Sequence, residues 1–409
     1  MHLLVLIHTL LLASILTAQQ PAGATADPAV TGIEVVDQTV AAIMSKYHLP
    51  GGQLSIAKNG RLVLSRGYGY ADVERSEPVT RNSLFRIASL SKAFTAVAAL
   101  KLIEEGKLHL DDRAFQILSS LLPPKNATID PRLYLITVRH LLQHEAGWSR
   151  ADAMELPQSR MAAATLGEKD PPSCEAIIRY QMSLPLDFAP GTKSSYSNFG
   201  FCVVGRIIEQ VSRSNYQDYV KSAVLTPAGV TRMRVGGTKP SERASAEVQY
   251  YAQPGAPLAP SVFPGEGYVP SAYGGFYLNS AIAAAGWIAS TDDLIRFIAS
   301  IDGQRAPALL KTETVRLMLE TPLQSNPRDK GLCWTVAQRE SGVDFWHIGA
   351  LKDSNAAWLV RTSSGVSLAV AFNSLPQDYT AFFQDILPRL LEAIGRVKKW
   401  PDGDLFEAH

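Results

Sequence analysis

The sequence predicts an α+β fold: one antiparallel sheet built from both chain ends, with flanking helices and a mostly helical inserted domain. Two observations carry this. Strand-like alternation of apolar and polar residues is confined to residues 51–66 and 332–373 of the 409-residue chain. Between residues 108 and 285 it nearly disappears, and helical spacing broken by Pro/Gly-rich turns takes its place. Strands at both ends with helices between them suggest a single sheet that both termini complete. On this reading residues 30–107 and 286–400 form the sheet domain, and residues 108–285 the insertion with a loop that lines the site.

Taken in order, the chain opens on an apolar run at residues 3–18, broken only by His8, Thr9, Ser14 and Thr17. Small residues follow, Ala22-Gly23-Ala24-Thr25-Ala26, a pattern similar to a secretory signal peptide over residues 1–26. Export to a periplasmic or extracellular space is the expectation, with no membrane span after cleavage. A helix is predicted over residues 32–47. Residues 51–58 and 61–66 alternate on either side of Asn59-Gly60, which is a strong hairpin signal. Residues 89–105 read as one helix closed by Gly106, and Leu90, Ala93, Phe94, Val97, Leu100 and Ile103 leave it apolar nearly all the way round. Helical patterns recur at 138–144, 174–184, 199–211 and 216–225. Residues 236–275, rich in Gly, Pro and Tyr, read as a long irregular loop of the kind that carries function. Ser290-Thr291-Asp292-Asp293 opens a helix with a capping-box pattern. Strands at 332–337, 344–350, 356–360 and 366–373 and a helix at 379–397 end the chain.

Composition narrows the class. Hydrophobic residues make up 46% and charged residues 19%, which suits a globular enzyme-sized protein and excludes a disordered one. The net charge of +1 comes without a Lys/Arg run, so nothing points to nucleic acid or an anionic membrane surface. The three cysteines, Cys174, Cys202 and Cys333, lack metal-ligand spacing. Cys202 lies among Phe201, Val203 and Val204 and reads as buried; a Cys174–Cys202 bridge is allowed but not placed by the sequence.

The chemistry centres on Ser89 and Lys92. Lys92 falls in the first turn of an apolar helix, where burial and the helix dipole both disfavour a cation and push it towards the neutral amine. Ser89, three residues earlier, shares its face, so a nucleophile sits beside a base. Ser-x-x-Lys also arises by chance, with the serine as a cap and the lysine reaching to solvent. Two later stretches favour the chemical reading. Tyr196-Ser197-Asn198 follows a turn at Ala189-Pro190-Gly191-Thr192, and in an extended segment Tyr196 and Asn198 point the same way. A phenol there can relay the proton of Ser89, and an amide can hold the lysine or a substrate carbonyl. In Trp346-His347-Ile348-Gly349-Ala350, strand alternation puts His347 and Gly349 on one face, and a strand glycine admits close backbone approach by an extended substrate. His140 and His144 are four apart on a helix, but no third ligand is evident; helix-cap or supporting hydrogen bonds are the reading, and no metal is expected. Gly365-Val366-Ser367-Leu368-Ala369 lies inside a strand pattern and is rejected as a nucleophile elbow.

Together, in this order and spacing, these stretches resemble the serine β-lactamase and penicillin-binding protein superfamily. The likeness is greatest to class C β-lactamases, D,D-carboxypeptidases with a histidine motif and family VIII carboxylesterases. Ser89-Leu90-Ser91-Lys92 is similar to the first motif, Tyr196-Ser197-Asn198 to the second, and His347-Ile348-Gly349 stands where relatives have Lys-Thr-Gly or His-Thr-Gly. The stretches 136–144, 189–192 and 285–290 also fit, so the resemblance spans about residues 35–391. It implies a β-lactamase/transpeptidase-like fold and a serine hydrolase that works through an acyl-enzyme on Ser89, with no cofactor. Lys92 and Tyr196 would share the proton, and the backbone N–H groups of Ser89 and Ala350 would form an oxyanion hole. Asn198 would orient the acyl group, with His347 and Gly349 lining the pocket. One departure matters: His347 and Ile348 replace a lysine and a hydroxyl residue, which weakens the anchor for a β-lactam carboxylate. Small-molecule esters and D-amino-acid-containing peptides are therefore expected before β-lactams. A non-catalytic binder or scaffold keeping the fold is the other reading.

Overall fold

Asn59 and Gly60 both take positive φ (49° and 78°), the backbone of a tight hairpin turn, so Gly51–Lys58 returns at once as Arg61–Asp72. The computed structural model describes residues 32–149, 153–321 and 331–407; the expected signal segment lies outside the described residues. Against Gly51–Lys58 lies a strand from the far end of the chain, Val366–Phe372, followed outwards by Asn355–Arg361, Gly342–Leu351 and Thr335–Arg339. Glu77–Pro78 extends the opposite edge, and all pairings in this seven-stranded sheet are antiparallel. The α+β fold expected from the sequence, with one sheet completed by both ends, is the fold observed.

The two faces of the sheet differ in side-chain size, and that decides what packs on each. Leu54 and Ile56 pair with Val370 and Leu368, and with Trp358 and Phe372 they meet the helices Glu34–Lys46 and Tyr379–Arg396 through Val40, Ile43, Phe382 and Ile386. Burying each such side chain contributes roughly 1.5–3 kcal/mol. The opposite face carries Ser55, Ala57, Ala369 and Ala371, so the helix Thr291–Ile301 can pack against it. That helix starts as expected: Ser290 Oγ accepts from the Asp293 N–H at 3.2 Å, and the Asp293 carboxylate accepts from the Ser290 N–H at 3.1 Å. Gln53 and Ser55 reach its first turn from the sheet, Gln53 Oε1 accepting from the Thr291 N–H at 2.6 Å and Ser55 Oγ donating to Asp292 Oδ1 at 2.6 Å.

Phe94 stacks on Phe297 of this helix at 3.8 Å, which places the Ser89 segment on the sheet's inner side. The segment departs from the expected single helix. Ala88–Leu90 is a 3₁₀ turn, and the α-helix runs Ser91–Glu104. A three-residue spacing fits either geometry, so periodicity alone does not separate them. From Ser91 to Leu100 every residue is buried between the sheet layer and the helix Asn198–Ser212. The helices expected at 138–144, 174–184 and 216–225 fall at Val138–Leu142, Cys174–Gln181 and Tyr216–Val220, the last running on as a π turn, Lys221–Leu225. Gln158–Leu166 and Thr312–Leu319 are further helices. Among the described residues no helix is long and apolar enough to cross a membrane.

Residues 236–275 hold little regular structure, only the turn Pro240–Glu242 and the paired two-residue strands Ala259–Pro260 and Tyr268–Val269. The segment is nonetheless fastened. The buried Arg86 guanidinium donates to the Ala272 carbonyl and, at 2.8 Å, to that of Gly237, and it lies over the Tyr250 ring at 4.4 Å.

Cys174 and Cys202 form a disulfide between the helices Cys174–Gln181 and Asn198–Ser212. Cys333 is buried and unpaired, and burial pushes its thiol up to about 12, which leaves it inert as a nucleophile. The disulfide closes a loop with a sequence separation of 28 residues. Replacing both cysteines with serine is expected to lower the unfolding free energy by about 3–4 kcal/mol on a chain-entropy estimate. Urea unfolding of the double variant beside the oxidised protein measures this, and matching midpoints would show that the helix pair holds without the bridge.

Candidate active site

Ser89 is presented by a strained turn. The short strand Phe85–Arg86 pairs with Trp287–Ala289, the chain turns through Ala88 at φ 45°, and Ser89 follows. Positive φ at alanine costs on the order of 1–2 kcal/mol and persists only when neighbours enforce it. One such neighbour is Gly349: a Cβ there would lie 2.0 Å from the Ile87 carbonyl oxygen, so no other residue fits without moving the turn. The expected neighbour of Gly349 is an extended substrate; the neighbour found is the chain's own nucleophile turn. Glycine is required here, but for internal packing.

Lys92 is fully buried, and its Nζ lies 2.6 Å from Asn198 Oδ1, 2.9 Å from the Ala284 carbonyl and 3.1 Å from Ser89 Oγ. The first two oxygens can only accept. A neutral amine giving its two hydrogens to them directs its lone pair at the serine hydroxyl. The Tyr196 hydroxyl donates to the same Ser89 Oγ from another side, at 2.6 Å. The Ser89 hydroxyl is thus held between an amine and a phenol.

Tyr196 and Asn198 converge on the site across an extended Ser197 (φ -144°, ψ 118°). Ser197 is the N-cap of Asn198–Ser212, its Oγ accepting from the Gly200 N–H at 3.0 Å, and Asn198 is the first helical residue. The cap turns the chain so that the phenol approaches Ser89 from outside, 49% exposed, while the amide reaches Lys92 from the helix start. His144 steadies this tripeptide. Its Nδ1 accepts from the Ser197 N–H at 3.2 Å, its carbonyl accepts from the Ser195 N–H at 2.7 Å, and its ring lies 4.6 Å from that of Tyr196. His140 completes a capping box with Thr137. Both histidines therefore make the supporting contacts expected of them, and among the described residues no His/Cys/Asp/Glu group could hold a metal ion.

His347 occupies the same side of its strand as Gly349 and is buried. Its Nδ1 lies 2.9 Å from the Ile348 carbonyl, which can only accept, so the proton is on Nδ1 and Nε2 is bare. Burial is the main cause that lowers its pKa to about 3, and Lys92 adds to it only in its charged form. The ring is neutral throughout the physiological range, whereas the sequence alone suggests a histidine that begins to charge near its ordinary value of about 6.5.

Ser89, Asn198 and Ala350 line a cleft of about 360 Å³ together with Ala259, Pro260 and Leu351, so part of the 236–275 segment does border the site. Tyr196, His347 and Ile348 line a separate cavity of about 180 Å³ with Cys333 and Thr335. Sequence reasoning missed Arg86, the Ala284 carbonyl and the cavity wall at Cys333 and Thr335. Each is recruited by long-range contact, and a backbone carbonyl carries no sequence signal at all.

A sheet completed by both chain ends around a buried Ser-x-x-Lys segment defines a class, that of serine β-lactamases and penicillin-binding proteins. The chain belongs to the Beta-lactamase family, whose model matches residues 36–387. It is 30% identical over 196 residues to Protein flp of Staphylococcus aureus (strain COL), covering 48% of this chain and 37% of that protein. It is 30% identical over 204 residues to Penicillin-binding protein 4* of Bacillus subtilis (strain 168), covering 48% and 41%. The chain thus spans less than half the length of these curated relatives. Among solved structures, D-amino acid amidase from Ochrobactrum anthropi SV3 superposes with a TM-score of 0.68 at 22% identity, over 90% of this chain and 99% of that one. A class C β-lactamase gives 0.67 at 18% identity, over 88% and 95%. At these identities the likeness establishes the fold.

The buried neutral His347 makes stability depend on pH. Its folded pKa lies below the unfolded value of about 6.5, so the unfolded chain binds the proton more readily between the two. Stability is intact above that window and is lost as pH falls through it, by about 2 kcal/mol between pH 7 and pH 5 from this group. Urea unfolding across that range should show a shallower pH slope for His347→Gln than for wild type; identical slopes would mean that the ring is not held neutral.

Proposed function

We propose that this protein is a serine hydrolase that forms an acyl-enzyme on Ser89 and cleaves esters or D-amino-acid-containing peptides in preference to β-lactams. The observation that carries the reading is Ser89 Oγ, set 3.1 Å from the Lys92 amine and 2.6 Å from the Tyr196 hydroxyl. As Oγ attacks a substrate carbonyl carbon, its proton passes to the Lys92–Tyr196 pair. The N–H groups of Ser89 and Ala350 receive the developing oxyanion. Collapse breaks the bond to the leaving group, which takes the proton from Tyr196. Water then attacks the ester carbon and gives up its proton to the same pair, and Ser89 is regenerated.

Substrate preference follows from the third motif. A β-lactam carboxylate calls for a fixed cation and a hydroxyl, and here stand a neutral buried imidazole and the aliphatic Ile348. A neutral ester needs only the nucleophile and the oxyanion donors. Likeness in fold to a D-amino acid amidase and to a D-alanine carboxypeptidase supports the acyl-transfer class. The Cys174–Cys202 disulfide supports export to an oxidising compartment, as the N-terminal apolar run suggests.

Intact-mass measurement after treatment with a fluorophosphonate should show one adduct on wild type and none on Ser89→Ala. Lys92→Arg should fold yet acylate at least about a hundredfold more slowly, because a guanidinium supplies no neutral base. An adduct that survives in Ser89→Ala would remove the nucleophile assignment. On substrate choice, kcat/KM for a short aryl ester is expected to exceed that for a chromogenic cephalosporin, and His347→Lys with Ile348→Thr to narrow the gap by improving the cephalosporin. Faster cephalosporin turnover by the unaltered protein would overturn the preference.

A further inference from the structure

The two cavities meet the reacting atoms on different sides, and their charge differs. Tyr196, which delivers the proton to the leaving group, lines the smaller one, about 180 Å³, so this is the leaving-group side. Among the described residues its wall offers His347, Ile348, Thr335 and Cys333 and no lysine or arginine. Ser89, Asn198 and Ala350 line the larger one, about 360 Å³, which is the acyl side. Two cations border it, Arg86 and Lys352. The Arg86 guanidinium is committed to the Gly237 and Ala272 carbonyls and to the Tyr250 ring. Lys352 is different: it is exposed and has no hydrogen bond or ion pair with any described residue. Its backbone is held in place, because the turn closes with the Ser354 N–H on the Leu351 carbonyl at 3.1 Å, and Asn355 Nδ2 donates to the Arg86 carbonyl at 2.6 Å. Glu155 borders the same cavity but has an interaction of its own.

We propose that Lys352 is a specificity-determining residue that selects substrates carrying a carboxylate on the acyl half and an uncharged leaving group. This rests on the acyl-enzyme reading above. It reverses the charge placement of a substrate whose carboxylate sits beyond the scissile bond. The cation stands two residues past Ala350, on the acyl side, and among the described residues the leaving-group side has none.

Three 4-nitrophenyl or carboxyphenyl esters test it: neutral 4-nitrophenyl butyrate, 4-nitrophenyl hydrogen glutarate with its carboxylate on the acyl half, and 4-carboxyphenyl butyrate with it on the leaving group. Wild type should give the highest kcat/KM on the glutarate and the lowest on the carboxyphenyl ester. In Lys352→Met the glutarate-to-butyrate ratio should fall about fivefold, chiefly through KM, as expected for one solvent-facing ion pair. Lys352→Glu should invert the ratio, Lys352→Arg should keep it, and added salt should erode it in wild type. An unchanged ratio in both Lys352→Met and Lys352→Glu, or a wild-type preference for the carboxyphenyl ester, overturns the assignment to Lys352 while leaving Ser89 in place. Hydrolysis of the neutral ester that persists in Ser89→Ala, or none by wild type, overturns the acyl-enzyme reading and this inference with it.

Discussion

A primary amine buried from water is the constraint around which this molecule is arranged. Lys92 lies inside a helix packed on all sides, and each hydrogen on its nitrogen must find an oxygen there or cost several kcal/mol. Three separate parts of the chain surround it: Oδ1 of Asn198 at the start of another helix and the carbonyl of Ala284, which can only accept, and the Ser89 hydroxyl one turn earlier. Satisfying the amine therefore fixes the relative positions of these segments. For a neutral amine the same contacts that relieve burial direct the lone pair at the Ser89 hydroxyl, so the packing requirement and the proposed chemistry coincide.

The second constraint is steric. The sheet approaches the Ser89 turn closely enough for Ala350 to line the same cleft as Ser89, and Gly349 makes that approach without a side chain. In return the Ile87 carbonyl presses into the space above Gly349, and Ala88 adopts a left-handed backbone. Small residues serve the same end on the inner face of the sheet, where Ser55, Ala57, Ala369 and Ala371 leave room for the helix Thr291–Ile301. Bulk is kept for the opposite face, where two terminal helices cover it.

Features that depend on near neighbours were legible in the sequence. Asn59-Gly60 set a hairpin, Ser290 and Asp293 set a helix start, and alternation at both ends set a single sheet. The Ser89, Lys92, Tyr196, Asn198 and His347 side chains were legible as a group because their types and order matched a known pattern, and the structure brings them together. Local rules misled at one point: a spacing of three reads as α-helix although Ala88–Leu90 is a 3₁₀ turn. Ser197 is extended, as the Tyr-x-Asn spacing suggests, and the helix begins only at Asn198. Other features depend on distant partners and gave no signal. They are the Ala284 carbonyl on Lys92, the neutral state of His347 and the pairing of Cys174 with Cys202.

Arg86 shows most clearly why such features escape a reading of sequence alone. It lies three residues before the nucleophile and looks like an ordinary flanking cation. In the fold its guanidinium is buried, with Glu247 at 3.8 Å, too far for a hydrogen bond, and burial pushes that carboxyl up from its usual value. The Tyr250 hydroxyl accepts from the Arg86 backbone N–H at 2.7 Å and donates to Glu247 Oε1 at 2.9 Å. A buried ion pair of this kind adds little net stability, because desolvation offsets most of the attraction. Its effect is positional. Arg86 ties the Gly237 and Ala272 carbonyls to the strand that leads into Ser89, and Asn355 ties the Lys352 turn to the Arg86 carbonyl. The cleft wall at Lys352 and the Ser89 turn are therefore referenced to one residue, and neither can move without disturbing the other.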